Sequence, residues 1–322
     1  MALDSLYCAW LKVHYPYEFY EVLMQMYSDK GNKDKVQALK AEMQKAFGIK
    51  EGPYKWGIDN RKFVADQQNG LIYPSLLSLK GFSQGCADAL YELYQTKKYD
   101  SFLQLLKDLS TKKDVNSSRL DTLIRLGYFS EFGPSKTLLK TVEYYNKYLC
   151  TGKTKQFKKD SIPLEAIPYI ENYVIKETEK QYILEAEGVE KMLKDIVSHI
   201  PEEELPLKER LSAEAEYLGY IATTIPDAVG NAFVTDLEAR GNNFRVSLYD
   251  LTTGEAHSVK LKKKVYQNTP INIHDIITYR LGEEAPWRVE TDADGKKKFY
   301  QDFNAPKEKV LQWYGRNNRW DK

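Results

Sequence analysis

Between Ser75 and Leu93 the chain reads SLLSLKGFSQGCADALYEL, two apolar stretches hinged on a glycine. Leu76, Leu77 and Leu79 close one stretch, and Ala87, Ala89, Leu90 and Leu93 return at the spacing of one helix face. A break as short as Lys80-Gly81-Phe82-Ser83-Gln84-Gly85 leaves the two limbs little choice but to fold back on each other, so the pattern predicts a helix-hairpin-helix. Such a hairpin turns backbone N–H groups and a helix N-terminus outward, where they can hold a phosphate without reading a base. An ordinary αα-hairpin whose first helix ends at glycine would use the same residues. The rest of the chain has to separate the two readings.

At 322 residues there is room for two or three domains with cores of their own. With 42% apolar and 29% charged residues the composition is globular, and no apolar run approaches the roughly 18 residues of a spanning helix. The start, MALDSLYCAWLK, lacks the basic n-region and small-residue cleavage site of a signal peptide, so a cytoplasmic protein is expected, without a membrane partner. Cys8, Cys86 and Cys150 are odd in number and far apart, which argues for free thiols rather than a disulfide framework or zinc site. The net charge of +1 does not advertise a polyanion partner, but lysines cluster locally at 112–113, 153–159, 260–264 and 296–298. Each cluster alone is also what a solvated face looks like.

Helical spacing runs through residues 3 to 27, with Tyr15-Pro16 dividing two helices, and through Lys33 to Phe47, with Gly48 as C-cap. From Ile49 to Gly70 the pattern is short extended pieces, ending in the hairpin signal Asn69-Gly70. After the first hairpin, helices over Phe102–Leu106 and Val115–Leu126 predict a second one in tandem, around Lys112 and Lys113. Residues 135 to 215 read as a helical connection: Leu138–Leu149, a lysine-rich loop, Leu164–Tyr173, then Ile183–Ile200. Pro201, Pro206 and the acidic triplet between them mark a boundary. Beyond it the period alternates. Asn231–Glu238, Phe244–Tyr249, His257–Val265, Asp275–Arg280 and Phe299–Phe303 read as strands, with Asp292–Gly295 a turn and Pro306–Lys322 a helical tail. The fold class expected is therefore α+β and multidomain, a mainly α-helical N-terminal two-thirds with tandem helix-hairpin-helix units and then a small OB-type β-barrel; a β-sandwich or two-layer sheet is the alternative.

Catalytic and metal-binding patterns are scarce. Gly152-Lys153-Thr154 resembles the end of a P-loop, but Lys147 stands where its first glycine belongs. His14, His199, His257 and His274 have no partners at ligand spacing, and Asp292 and Asp294 sit in a turn rather than an apolar strand. No catalytic residue, metal site or cofactor is expected in this chain.

Trp10-Leu11-Lys12-Val13-His14-Tyr15-Pro16-Tyr17-Glu18-Phe19 resembles the WLKxHYPxEF stretch in the fingers of bacterial C-family replicative polymerases, the DNA polymerase III alpha subunits. Ser78-Leu79-Lys80-Gly81-Phe82 is similar to that family's helix-hairpin-helix. Thr111-Lys112-Lys113, with Val115-Asn116 and Leu123 to Phe129, is similar to its second hairpin unit, and Glu216 to Tyr220 to the entry of its OB domain. The matches fall in the family's order. The resemblance implies an end of fingers over 1–60, a helix-hairpin-helix domain over 61–140, a helical linker over 141–215, an OB-like barrel over 216–305 and a tail over 306–322. It further implies a DNA-binding C-terminal portion of the polymerase, without the catalytic palm. The resembled full-length protein is a DNA-directed DNA polymerase, whereas this chain alone is expected to be inactive. Implied partners are double-stranded and single-stranded DNA, the catalytic remainder of the polymerase and a sliding clamp. Ser83 departs from the family's second hairpin glycine, and Gln181-Tyr182-Ile183-Leu184 matches its clamp-binding peptide poorly.

Duplex contacts are expected from Lys80, Gly81, Phe82, Ser83, Gly85, Lys112, Lys113, Asn116 and Arg119. Single-strand contacts are expected from Phe244, Arg245, Tyr249, Lys260, Lys262, Lys263 and Lys264, since alternation would put Lys260, Lys262 and Lys264 on one strand face. A free-standing protein joining helix-hairpin-helix and OB domains is the rival within binding proteins, and a nuclease or hydrolase the rival among enzymes.

Overall fold

The computed structural model describes residues 2–150, 152–162, 166–291 and 296–316. The chain divides into two compact units, Met1–Leu205 and Pro206–Lys322. The expected helix start at Leu164, the turn Asp292–Gly295 and the last six residues of the tail lie outside the described residues.

The first unit opens with α1 (Ala2–His14), α2 (Pro16–Asp29) and α3 (Lys33–Phe47). Pro16 is in the first turn of α2, which is why the helical pattern breaks at Tyr15. Asn32 caps α3 by accepting from the Lys35 N–H at 3.1 Å, and Gly48 ends it in the left-handed conformation. Tyr20 and Met24 of α2 meet Val36, Leu39 and Met43 of α3 over Ile49, Phe63 and Ile72, a core shared with a small sheet. That sheet has the order β1 (Lys50–Glu51), β3 (Leu71–Tyr73), β2 (Val64–Asp66), and the Asn69-Gly70 turn joins its antiparallel pair.

The limb before Gly81 is shorter than its leucines imply. A single 3-10 turn, Leu76–Ser78, stands there, and Leu79 is already extended. Pro74 cannot continue a helix and Gly81 lies at φ +84°, so only one turn fits between them. Then follow α4 (Gln84–Thr96), α5 (Phe102–Leu109), α6 (Ser117–Arg125) and α7 (Ser135–Tyr148).

The helical connection expected after α7 is instead mixed. The lysine-rich stretch forms β4 (Thr154–Lys158), and after the short α8 (Ile167–Glu171) come β5 (Lys176–Glu177), β6 (Gln181–Glu185) and α9 (Ala186–Ser198). Sheet order is β4-β6-β5. Tyr182 and Leu184 are buried while Gln181, Ile183 and Glu185 are not, a two-residue period that claims Ile183 for the strand rather than for the helix after it. Gln181–Leu184 thus lies in a central strand paired on both sides.

The second unit begins with α10 (Leu207–Ala213), continued by a wider π turn, Glu214–Leu218. The Glu214 carboxylate, buried, accepts from the Ala222 and Thr223 N–H groups at 2.8 and 2.9 Å and so fixes the chain entering the sheet. The sheet strands are β7 (Asn231–Arg240), β8 (Asn243–Asp250), β9 (Ala256–Lys262), β10 (Ile276–Glu284) and, after the ribbon β11 (Trp287–Thr291) and β12 (Lys297–Gln301), β13 (Glu308–Arg316). Strands pair in the order β10-β13-β9-β8-β7, and β10 returns to β7, so the five-stranded sheet closes on itself. Its inside is lined by Val234, Val246, Leu248, Val259, Leu261, Ile277 and Leu311; a second cluster sets Phe233, Tyr249 and Ile276 against Leu211.

Three expectations fail here. The described part of the tail is not helical but forms β13, and Phe299 to Gln301 belong to the separate ribbon. Val310, Leu311 and Tyr314 have the i, i+1, i+4 look of a helix face because a bulge at Gln312 interrupts the alternation: Arg280 pairs with Trp313 but Leu281 with Leu311. Gly282 sits against that bulge, where a Cβ would come 1.9 Å from Gln312 Nε2. The strand expected over His257–Val265 also ends early, at Lys262, and α11 (Lys263–Asn268) follows. A spacing of four between Leu261 and Val265 suits either period, and the helix still packs Val265 and Tyr266 on the sheet core.

Candidate nucleic-acid interface

Two loops are brought together beside α4. The first, Leu79 to Ser83, leads into α4; the second, Ser110 to Asn116, joins α5 to α6. Arg119, from the first turn of α6, ties them: its Nε donates to the Gly81 carbonyl at 3.0 Å and its Nη1 to the Asp114 carbonyl at 2.6 Å. Asn116 caps α6 by accepting from the Arg119 N–H at 2.9 Å. At Gly85, a Cβ would lie 3.0 Å from the Asp114 carboxylate, so the glycine is what lets the second loop approach the first turn of α4. At Gly81 nothing lies within 4 Å of a Cβ, and the requirement is conformational, a positive φ.

The expected duplex residues therefore take different parts. Lys80 and Lys113 are exposed on the two clamped loops. Lys112 is half-buried and its Nζ meets Glu92 at 2.8 Å. Asn116, Arg119 and Gly85 build the loops, and Phe82 and Ser83 are half-buried, with the Phe82 N–H donating to the Leu79 carbonyl at 3.4 Å. Ser83 stands at the N-cap of α4 without a side-chain capping bond, unlike Asn116 on α6 and Ser101 on α5.

The platform beneath is one that sequence reasoning missed. Trp56, buried, is ringed by Tyr94, Tyr99, Tyr128, Phe129 and Phe132 at centroid distances of 5.7 to 6.5 Å. The Trp56 backbone N–H donates to the Tyr128 carbonyl at 2.8 Å, which ties the Gly-rich stretch to the end of the second hairpin. Asn60 Nδ2 donates to the Pro74 carbonyl at 3.1 Å, and the Leu76 N–H donates back to the Asn60 carbonyl at 2.8 Å. A tryptophan amid Gly-Pro and Gly turns was the available signal. Cys86, buried in the first turn of α4, has its thiol pushed up to about 11 by burial, the charge of Arg119 opposing the effect and that of Asp114 adding to it.

In the second unit the residues expected to meet a single strand do not form one face. Tyr249 is buried, 8% exposed, with its hydroxyl donating to the Thr223 carbonyl at 3.2 Å. Burial, with the charges of Glu214 and Asp250, pushes that phenol up to about 12. Its place in the core corrects the expectation of a stacking ring. Phe244 packs on Tyr266 at 4.2 Å, and Arg245 Nε donates to Ser258 Oγ at 2.7 Å. Lys260 lies 3.3 Å from Glu308 and Lys262 2.9 Å from Glu284, while Lys263 and Lys264 are on α11 and not on the strand. The lysine face expected from alternation is thus split by the start of a helix. Among the described residues no group of three or more His, Cys, Asp or Glu side chains could hold a metal, and no helix is long and apolar enough to cross a membrane.

Residues 54–139 match the model of the helix-hairpin-helix motif family. Over 141 residues the chain is 29% identical to the DNA polymerase III subunit alpha of Haemophilus influenzae, covering 43% of this chain and 12% of that protein. With the same subunit of Escherichia coli strain K12 the figures are 29%, 43% and 12%. With that of Pseudomonas fluorescens identity is 26% over 233 residues, covering 70% of this chain and 18% of the relative. The chain spans less than a fifth of the length of these relatives. It carries a helix-hairpin-helix motif and is related, weakly and over 43 to 70% of its length, to DNA polymerase III alpha subunits.

Proposed function

We propose that this chain binds DNA during replication as a portion of a polymerase III alpha-type assembly, gripping the duplex backbone through its paired hairpin loops. The observation that carries this reading is the Arg119 clamp between the Gly81 and Asp114 carbonyls, which holds two lysine-bearing loops in one place within the matched motif. Cations and backbone on short loops suit phosphate, and they carry no base readout. The closed five-stranded sheet is read as OB-type, meeting single-stranded template. The catalytic remainder of the polymerase and a sliding clamp are partners in the same reading. Gln181–Leu184 is not the clamp-docking segment in it, because both edges of that strand are already paired.

The test is duplex binding by the intact chain at several salt concentrations, on two unrelated sequences. Lys80→Gln with Lys113→Gln should weaken binding equally on both, and flatten log affinity against log salt by roughly 1.8 units if both lysines reach phosphates. Gly81→Val, which strains a positive φ, should also weaken both. Unchanged affinity and slope in the folded lysine variant would leave the hairpins a purely structural role.

A further inference from the structure

We infer that the cleft between α5, the end of α7 and α9 is a docking site for an acidic peptide segment that anchors one phenyl-type side chain in it. The inference is independent of the nucleic-acid reading, because neither Lys80 nor Lys113 lines this cleft. Its volume is about 160 Å3, close to the roughly 150 Å3 of an engineered cavity that takes up a benzene ring. Leu103, Leu149, Val189 and Leu193 supply apolar walls, the last two one turn apart on α9. Tyr145 adds a ring rather than a hydroxyl, since its oxygen is already hydrogen-bonded to Ser110 Oγ at 3.1 Å. The cleft is therefore matched in size and polarity to one aromatic side chain.

The polar groups on the rim say what must accompany that ring. Ser101 and Gln104 are committed to the start of α5, where the Gln104 N–H donates to Ser101 Oγ at 3.4 Å and Gln104 Oε1 accepts from the Asp100 N–H at 3.3 Å. A nucleobase here would leave its edge groups unpaired against leucine and valine, a cost that a hydrocarbon ring does not meet. Lys107 Nζ lies 2.7 Å from Glu190 and so joins α5 to α9 at the rim. Lys194, one turn beyond Glu190 on α9, is exposed and has no hydrogen-bond or ion-pair partner among the described residues. Two lysines against one glutamate leave the rim positive, which suits carboxylates flanking the ring. Burying one ring is worth roughly ten- to a hundredfold in affinity, too little to hold a free molecule against the motion it loses, so the ring is the anchor of a longer chain.

The experiment titrates a fluorescein-labelled pentapeptide, one phenylalanine between two pairs of aspartates, with the intact chain and follows its anisotropy. Alanine in place of the peptide's phenylalanine should weaken binding by at least about tenfold. Lys194→Gln in the protein should weaken it by about two- to fivefold, the range of an exposed ion pair. Ala186→Phe, at a half-buried lining position, fills the cleft and should abolish binding, with an unchanged melting temperature verifying the fold. Cys150 also lines the cleft and is partly exposed, so saturating peptide should protect it from iodoacetamide, while Cys8, exposed on α1, should react at its former rate. A peptide that does not bind overturns the proposal, as does one that binds the folded Ala186→Phe variant like the parent or leaves Cys150 unprotected. Equal affinity for the alanine peptide would reduce the contact to charge and remove the anchor. Phenylacetate that displaces the labelled peptide at equal concentration would make a small aromatic acid the occupant in place of a peptide.

Discussion

Arg119 shows how a residue that reads as a phosphate ligand can be committed elsewhere. Its guanidinium is used on two carbonyls from two loops, so its removal should cost stability before it costs affinity. Arg119→Ala should destabilise the first unit by about 1–3 kcal/mol, toward the lower end because the side chain is half-exposed. Urea denaturation followed by aromatic fluorescence measures this; an unchanged midpoint would mean the loops hold without the clamp. Asp250 makes a pH-dependent counterpart in the second unit. Its burial works to raise the carboxyl, but bonds from the Tyr279 hydroxyl at 2.7 Å and from the Thr253 and Thr252 N–H groups outweigh this and leave it below the ordinary carboxylate value. A lowered folded value means that the unfolded chain takes up the proton first as pH falls. The stabilisation is therefore complete above the ordinary value of 3.8 and is lost as pH drops through the lowered one. Asp250→Asn should flatten the acid side of the stability–pH curve of the second unit, and an unaltered acid limb would contradict the assignment.

Strand β13 is the element whose nature matters most. It is hydrogen-bonded along β10 and touches β9 in parallel at Val310↔Lys260, so it closes the sheet and delivers Val310, Leu311 and Tyr314 to the core. A chain ending at residue 305 should expose both edges of the gap and lose the cooperative unfolding of the second unit, with aggregation from the open edges. A detached helical tail would be dispensable in the same experiment. Normal thermal unfolding of the truncated chain would therefore restore the helical reading.

The two compact units each have a core of their own, one around Tyr20, Met24 and Met43, the other inside the closed sheet. Separate cores give separate cooperative transitions unless a large interface couples them. Calorimetry of the whole chain should resolve two transitions, and Asp250→Asn should move one while Arg119→Ala moves the other. A single transition shifted by both variants would show instead that the units unfold as one.

What the residues determined unaided was local and periodic. Pro16 broke two helices, Asn32 and Gly48 bounded α3, Asn69-Gly70 made a hairpin, and Gly81 forced the left-handed turn on which the motif depends, because each acts through its own backbone and near neighbours. The change from helical to alternating period likewise placed β7, β8, β10 and most of β9, but not β13. Tertiary structure decided the cases in which one spacing served two geometries. The Gln312 bulge made β13 look helical, the Leu261–Val265 interval fitted strand and helix alike, and the alternation of Gln181 to Glu185 yielded a strand only once partners stood on both sides. It also decided which charges and rings are available. Tyr249 is taken by the core, Arg119 by two carbonyls and Lys260 and Lys262 by Glu308 and Glu284, while the ribbon rings remain in water. Sequence spacing constrains which face a side chain occupies, but only the partners that folding brings across from distant segments determine whether it is still free to meet a ligand.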